Sequence, residues 1–133
     1  MTLVYQQTGT GSAYQAPYSS WAGYTNMIVK AFDLAGQKAW LLGGTYDFAA
    51  HDLPGLLLNA AIVYGSDAIN ATNGAALPNW TEYDLTLDYR FSHKRRPEWA
   101  RPFWVRARAA HVDMRRDGEI DDYRLIVNYE WKF

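Results

Sequence analysis

Arg106 and Arg108 are separated by a single alanine in Phe103-Trp104-Val105-Arg106-Ala107-Arg108. In an extended segment alternate side chains share a face, so the two guanidinium groups would stand roughly 7 Å apart. A guanidinium stays ionised and donates in a planar, two-pronged way to a carboxylate, so such a pair can take an anion and hand it on. Weak serial sites of this kind suit passage rather than capture. The other chemistry-bearing residues point nowhere as definite. Glu82, Asp84 and Asp88 have the composition of a hydrolytic carboxylate pair, but three acids on one alternating face read as counter-charges. His51, His93 and His111 fall in or near different segments without a serine or metal-ligand spacing, which argues against catalysis and against a metal site. There is no cysteine, which removes disulfides, thiol chemistry and thiolate zinc. Asp117 to Asp122 resembles a calcium loop in composition alone, since the twelve-residue ligand spacing is missing. Lys94-Arg95-Arg96 reads as a solvated turn with no stacking platform, so nucleic acid is not expected as a partner. No enzyme activity and no cofactor is implied.

The elements that must carry these residues follow a period of two. Tyr123, Leu125, Val127, Tyr129, Trp131 and Phe133 alternate with Asp122, Arg124, Ile126, Asn128, Glu130 and Lys132, giving one apolar, aromatic face and one mostly polar face. Tyr83 to Phe91 repeats the pattern, and Phe103 to Arg115 sets Val105, Ala107 and Ala109 against Arg106 and Arg108. Lys38 to Ala49, Leu56 to Gly65 and Thr2 to Thr8 complete about six strands; Leu56 to Gly65 is apolar on both faces and its orientation stays open. Asp52-Leu53-Pro54-Gly55 and Asp117-Gly118-Glu119 are short turns, and 93–102 is a basic turn with two prolines. Gly9 to Gln37 and Ser66 to Pro78 are long loops. The spacing at Asn26 to Leu34 is too brief to predict a helix.

Two architectures share this alternation. A soluble sandwich or barrel turns its apolar face to a packed core; a membrane barrel turns it to lipid and lines a lumen with the polar face. The 133 residues carry 13 Lys and Arg against 14 Asp and Glu, so no net field draws in nucleic acid or an anionic surface. Aromatic residues make up 16% and charged ones 20%, and Trp and Tyr gather where an apolar phase meets water. No run approaches the roughly 20 apolar residues of a spanning helix. Strands of ten or more residues exceed the usual soluble length of about five or six and match the nine to eleven that cross a bilayer at a tilt. Tyr129, Trp131 and Phe133 crowd one end of the last strand, as an interfacial girdle would.

The segment Leu125-Ile126-Val127-Asn128-Tyr129-Glu130-Trp131-Lys132-Phe133 resembles the C-terminal insertion signal of bacterial outer-membrane barrels, with Tyr129, Trp131 and Phe133 as its aromatic positions. Leu3-Val4-Tyr5-Gln6-Gln7, Tyr46 to Leu56, Trp80-Thr81-Glu82-Tyr83-Asp84-Leu85, Phe103 to Arg108 and Gly118 to Val127, in this order, resemble the C-terminal third of the OprD-type porins over essentially the whole chain. The resemblance implies an all-β fold of antiparallel transmembrane strands, about six of the eighteen in such a barrel, with 1–133 as the C-terminal part of one barrel domain. It implies an outer-membrane location and passive diffusion of small anionic or amino-acid-like solutes, guided by a basic ladder that Arg106 and Arg108 would supply. It also implies partners: outer-membrane lipid, the insertion machinery, and the remainder of the barrel or other copies of the chain. The first residues lack the basic and apolar segments of a secretory signal, and six strands fall short of eighteen, so a fragment of a longer porin is the expectation.

An open six-stranded sheet in lipid leaves two edges of unpaired backbone groups, so closure needs further strands. If Asp117-Gly118-Glu119 centres the last hairpin, Arg106 faces Glu130 and Arg108 faces Asn128. A symmetric 93–101 turn places Asp88 opposite Arg106 and Thr86 opposite Arg108. Asp88, Arg124 and Glu130 are then supporting lumen charges, and Arg108, with neutral partners, carries the most uncompensated charge. The structural alternative is that Arg106 pairs across strands to stiffen the wall. The long loops would restrict access from one end. A soluble β-barrel carrier of lipids or other small ligands is the rival reading; it demands that the aromatic face be buried.

Overall fold

The computed structural model describes residues 1–14, 25–91, 97–115 and 117–130. Its strands are β1 (Thr2–Gln7), β2 (Lys38–Asp47), β3 (Leu56–Ser66), β4 (Trp80–Arg90), β5 (Phe103–Met114) and β6 (Gly118–Tyr129). They form one antiparallel sheet in the order β1-β2-β3-β4-β5-β6. Each strand pairs with its neighbour in sequence, which is the economical solution when hairpin turns and long loops alternate. β1 and β6 are edges whose outer backbone groups find no strand among the described residues. The five longer strands run 10 to 12 residues, the length expected of tilted membrane strands.

Local chemistry sets the strand ends. β2 stops at Asp47 because its carboxylate accepts the Ala49 N–H at 2.9 Å and caps a 3-10 turn, Phe48–His51. Asp52 and Gly55 then adopt positive φ, 59° and 89°, which reverses the chain into β3. Asn26 to Leu34 contains no helix.

The last hairpin departs from expectation. Gly118, with φ 99°, closes the turn instead of sitting at its middle. The Asp117 N–H donates to Met114 O at 2.7 Å, and Met114 pairs with Gly118. A left-handed residue at the end of a three-residue connection is a common hairpin solution. Moving the turn centre by two residues slides the partner by four. Arg106 therefore faces Ile126 rather than Glu130, and Arg108 faces Arg124 rather than Asn128. Because four is even, every side chain keeps its predicted face. The other expected pairs, Asp88 with Arg106 and Thr86 with Arg108, are those observed.

The outward face settles which way the apolar side points. Tyr123, Leu125, Val127 and Tyr129 are exposed, Leu125 by 74%, instead of packing into a closed interior. β3 turns Ile62 and Tyr64 to this face and Val63 and Gly65 to the other. Aromatic pairs mark its two ends. Tyr5 and Trp40 (centroids 4.6 Å apart) lie with Tyr64 at the long-loop end. Tyr46 and Phe48, Tyr89 and Phe91, and Phe103 and Tyr129, all within 4.9 Å, lie at the short-turn end. From the Glu119 level to the Tyr129 level is about 34 Å along the strand. At a tilt of roughly 45° this is about 24 Å along the membrane normal, close to the ~25 Å apolar band of outer-membrane barrels. Between the girdles the face is mostly Leu, Ala, Val and Ile, with Gly44 and Tyr123 at its middle and His111 bonded to Asp121 toward the long-loop end.

The small core lies on the opposite face. Phe32, from the first long loop, sits among Ala39, Leu41, Val63, Trp80 and Val112, all buried. Gly65 makes room for it: an added Cβ there would lie 2.7 Å from the Phe32 ring and 2.6 Å from Gln37 Nε2.

Candidate pore wall and its folded-in strap

Antiparallel pairing lines the inward side chains of β4, β5 and β6 into rungs across the sheet. From the short-turn end upward these are Arg90, Trp104 and Asn128; Asp88, Arg106 and Ile126; Thr86, Arg108 and Arg124; Asp84, Ala110 and Asp122; Glu82, Val112 and Ile120. The alternation in the sequence makes this face polar, and the register decides which charges meet.

Arg106 is spoken for. Its Nε and Nη2 donate to the two Asp88 carboxylate oxygens at 2.5 and 2.8 Å, a two-pronged ion pair with Asp88 nearly buried. Its guanidinium carbon also lies 5.2 Å from the centre of the Trp104 ring. Arg108 is arranged differently. It stands between neutral Thr86 and a second cation, Arg124, and its Nε is buried with no hydrogen-bond partner among the described residues. Arg124 is paired, through Nε and Nη2, with Asp122 at 2.8 and 2.7 Å. Two guanidinium groups share this rung, only one of them bridged to a carboxylate, with Asp84 and Asp122 on the next rung.

The placement of the supporting charges is mixed. Asp88 and Arg124 lie on the wall beside the two arginines. Glu130 does not reach Arg106; it is exposed just beyond β6, where its N–H donates to Pro102 O at 2.9 Å. Tyr129 takes an outward, end-of-strand place against Phe103. Trp131, Phe133, His93 and Lys94-Arg95-Arg96 lie outside the described residues. His51 bonds Tyr46 and His111 bonds Asp121, far apart on the sheet, and no cluster of metal-ligating side chains occurs among the described residues.

The upper wall carries a strap. Residues 25–37 of the first long loop turn back over the inward face, with Thr25, Phe32, Ala35 and Gln37 buried. Glu82, fully buried, accepts the Val29 N–H at 2.7 Å and the Lys30 N–H at 2.8 Å, one on each oxygen. Asp84 accepts the Ile28 N–H at 2.9 Å, and Arg124 Nη2 donates to Ile28 O at 3.2 Å. An irregular segment needs partners for its backbone groups wherever water is thin, and here the wall's carboxylates provide them. Deeper in, Gln6 Nε2 donates to Phe32 O at 3.2 Å, and Phe32 and Trp80 rings lie 5.8 Å apart. The second long loop joins the first, the Ile69 N–H donating to Ala35 O at 2.8 Å.

Sequence reasoning read Glu82 and Asp84 as counter-charges and missed their use as anchors, because their partners are backbone amides more than 50 positions away. Two acids two positions apart on the polar face are the only trace of it in the sequence.

A family model described as outer membrane porin, OprD family, matches residues 1–133. No curated protein sequence matches the chain. Among solved structures it is similar to the outer membrane protein OpdK of Pseudomonas aeruginosa, with a TM-score of 0.80 and 27% identity, covering 96% of this chain and 33% of that one. It is similar to Pseudomonas aeruginosa OpdL, with a TM-score of 0.75 and 26% identity over 90% of this chain and 32% of that one. The structure of OpdK with vanillate gives 0.79 and 27%, over 96% and 32%. The chain thus spans about a third of the length of the structures it matches.

Proposed function

This chain belongs to the OprD family of outer membrane porins, and we propose that it forms part of the wall of a water-filled channel that passes small polar or carboxylate-bearing solutes by passive diffusion. Its family consists of channels rather than enzymes, and its place is the outer membrane. In this reading 1–133 is one part of a single barrel domain, closed by further strands from the remainder of the barrel or from other copies of the chain, since an open edge in lipid costs several kcal/mol per unpaired group. Tyr129, Trp131 and Phe133 would serve the insertion machinery.

The observation that carries the solute reading is the rung of Thr86, Arg108 and Arg124, where two guanidinium groups face each other and only Arg124 is bridged to a carboxylate. A passing carboxylate exchanges water for planar N–H donors there. Arg108 is the first guide, Arg124 its neighbour. Arg106, committed to Asp88, acts mainly by holding the wall and shaping the field. The strap narrows the passage beside this rung. That OpdK was solved with vanillate supports a carboxylate cargo. Arg108→Ala in a closed barrel containing this chain is the test: uptake of small carboxylates into vesicles should fall several-fold while that of neutral sugars holds. Equal uptake of carboxylates would remove Arg108 from the pathway.

A further inference from the structure

On the outward face β5 is the low strand. Ala107 and Ala109 stand where its neighbours carry larger side chains: Leu87 and Leu125 flank Ala107 on its rung, and Leu85 and Tyr123 flank Ala109. The result is a furrow along β5, made of two adjoining hollows of about 480 and 330 Å³ that share Leu85, Ala109 and Tyr123 in their walls. Its upper end is polar. His111 follows Ala109 on the same face, its Nδ1 2.9 Å from Asp121 Oδ1 and its ring 6.1 Å from that of Tyr83. This end coincides with the edge of the hydrocarbon. The upper aromatics step down across the sheet, with Trp40 and Tyr64 on one rung, Tyr83 on the next and Tyr123 on the one after. A drop of two rungs, about 14 Å, over the roughly 19 Å from β2 to β6 is a slope of about 35°, the tilt of barrel strands in a membrane. The boundary therefore crosses the sheet diagonally, and Asp121, the next outward residue above Tyr123, stands at head-group level beside His111.

We propose that this furrow seats one saturated acyl chain of the glycolipid in the outer leaflet, with a sugar hydroxyl of its head group on His111. Outer-membrane barrels turn their longer loops outward, which puts the His111 end in that leaflet. From the Leu125 level to the Asp121 level the furrow runs about 14 Å, close to one leaflet's half of a roughly 30 Å hydrocarbon core. Lipid tails are as apolar as leucine, so the hydrophobic effect does not favour one chain over another here. What the furrow adds is contact on two sides, from the leucines and from Tyr123, where a flat face gives one. The head group is selected by hydrogen bonding. A carboxylate only accepts, so the His111 Nδ1–H donates to Asp121 and the neutral ring keeps Nε2 as an acceptor. Asp113, Glu119 and Asp121 share this corner of the outward face; they oppose a phosphate and leave a hydroxyl as the fitting donor. The site depends on the outward face meeting lipid and is independent of the solute that the pore passes.

The experiment is native mass spectrometry of closed barrels containing this chain, released from detergent after incubation with purified lipid A or, separately, with phosphatidylglycerol. Lipid A should stay bound and phosphatidylglycerol should be shed. Ala109→Phe fills the floor of the furrow with another apolar group and should lower retention of lipid A about tenfold. His111→Leu leaves the floor intact, which guards against misfolding of the phenylalanine variant, and should lower it about fivefold. Leu3→Phe, on the same face but away from β5, should change nothing. Retention of lipid A that survives both Ala109→Phe and His111→Leu overturns the site, as does equal retention of phosphatidylglycerol. If Ala109→Phe instead separates paired barrels, the furrow belongs to a second copy and the lipid assignment is overturned. Conductance of the same barrels keeps the two readings apart: conducting barrels that hold no lipid A lose the furrow alone, and barrels that hold lipid A but pass no ions lose the channel alone.

Discussion

Replacing Glu82 by alanine should free the strap without opening the sheet. The carboxylate is buried and accepts two backbone N–H groups, from Val29 at 2.7 Å and Lys30 at 2.8 Å. Hydrogen bonds to an ionised group are worth about 1.5–3 kcal/mol each, and the deserted N–H groups gain no new partner from alanine. Desolvation of the carboxylate and its repulsion by Asp84 offset part of this, so a net loss of about 3 kcal/mol is the reasonable figure. That moves the equilibrium for local strap opening by about two orders of magnitude. The strap keeps the Asp84 bond to Ile28 N, the Arg124 bond to Ile28 O and the seat of Phe32, which limits the change to its tip. Hydrogen exchange reads it directly: the amides of Val29 and Lys30 should exchange about a hundredfold faster, while those of β2 and β3 hold. Glu82→Gln, whose amide oxygen can accept one of the two N–H groups while its NH2 opposes the other, should fall between. Open-channel current should become noisier and larger in the alanine variant. Unchanged exchange at Val29 and Lys30, or faster exchange spread evenly through the strands, would refute the anchoring role.

Arg106→Ala should lower the unfolding free energy in denaturant titration by about 2 kcal/mol, since it strands Asp88, and Arg106→Gln with Asp88→Asn should recover most of it; equal losses in the single and double variants would contradict the pairing. Gly65→Val should push out Phe32 and lift the strap, seen as a red shift of Trp80 emission as water reaches it and as a wider pore, with insertion intact. Leu125→Arg places a charge at mid-bilayer on the outward face and should cost about 2–4 kcal/mol of membrane stability, whereas Arg124→Leu on the inward face should change selectivity and leave insertion alone. The reverse ranking in vesicle refolding would mean that the faces have been assigned the wrong way round.

The period of two in Tyr83 to Phe91, Phe103 to Arg115 and Tyr123 to Tyr129 was enough to establish strands, their faces and their membrane length, because side-chain direction in an extended chain is a local property. Exclusion of thiol, metal and helical-span chemistry was equally local. The aromatic ends of the strands carried the membrane reading, and the ordered blocks carried the family. What the tertiary structure decided are relations across distance. The last hairpin closes on Gly118 rather than around it, a backbone choice among several that the same residues permit. It gave Arg108 a cation for a neighbour and took Glu130 away from Arg106. Likewise the strap meets Glu82 through bare peptide N–H groups, which every residue but proline possesses and no side-chain pattern announces. Alternation tells which groups share a face; only register and the path of the loop tell which of them touch.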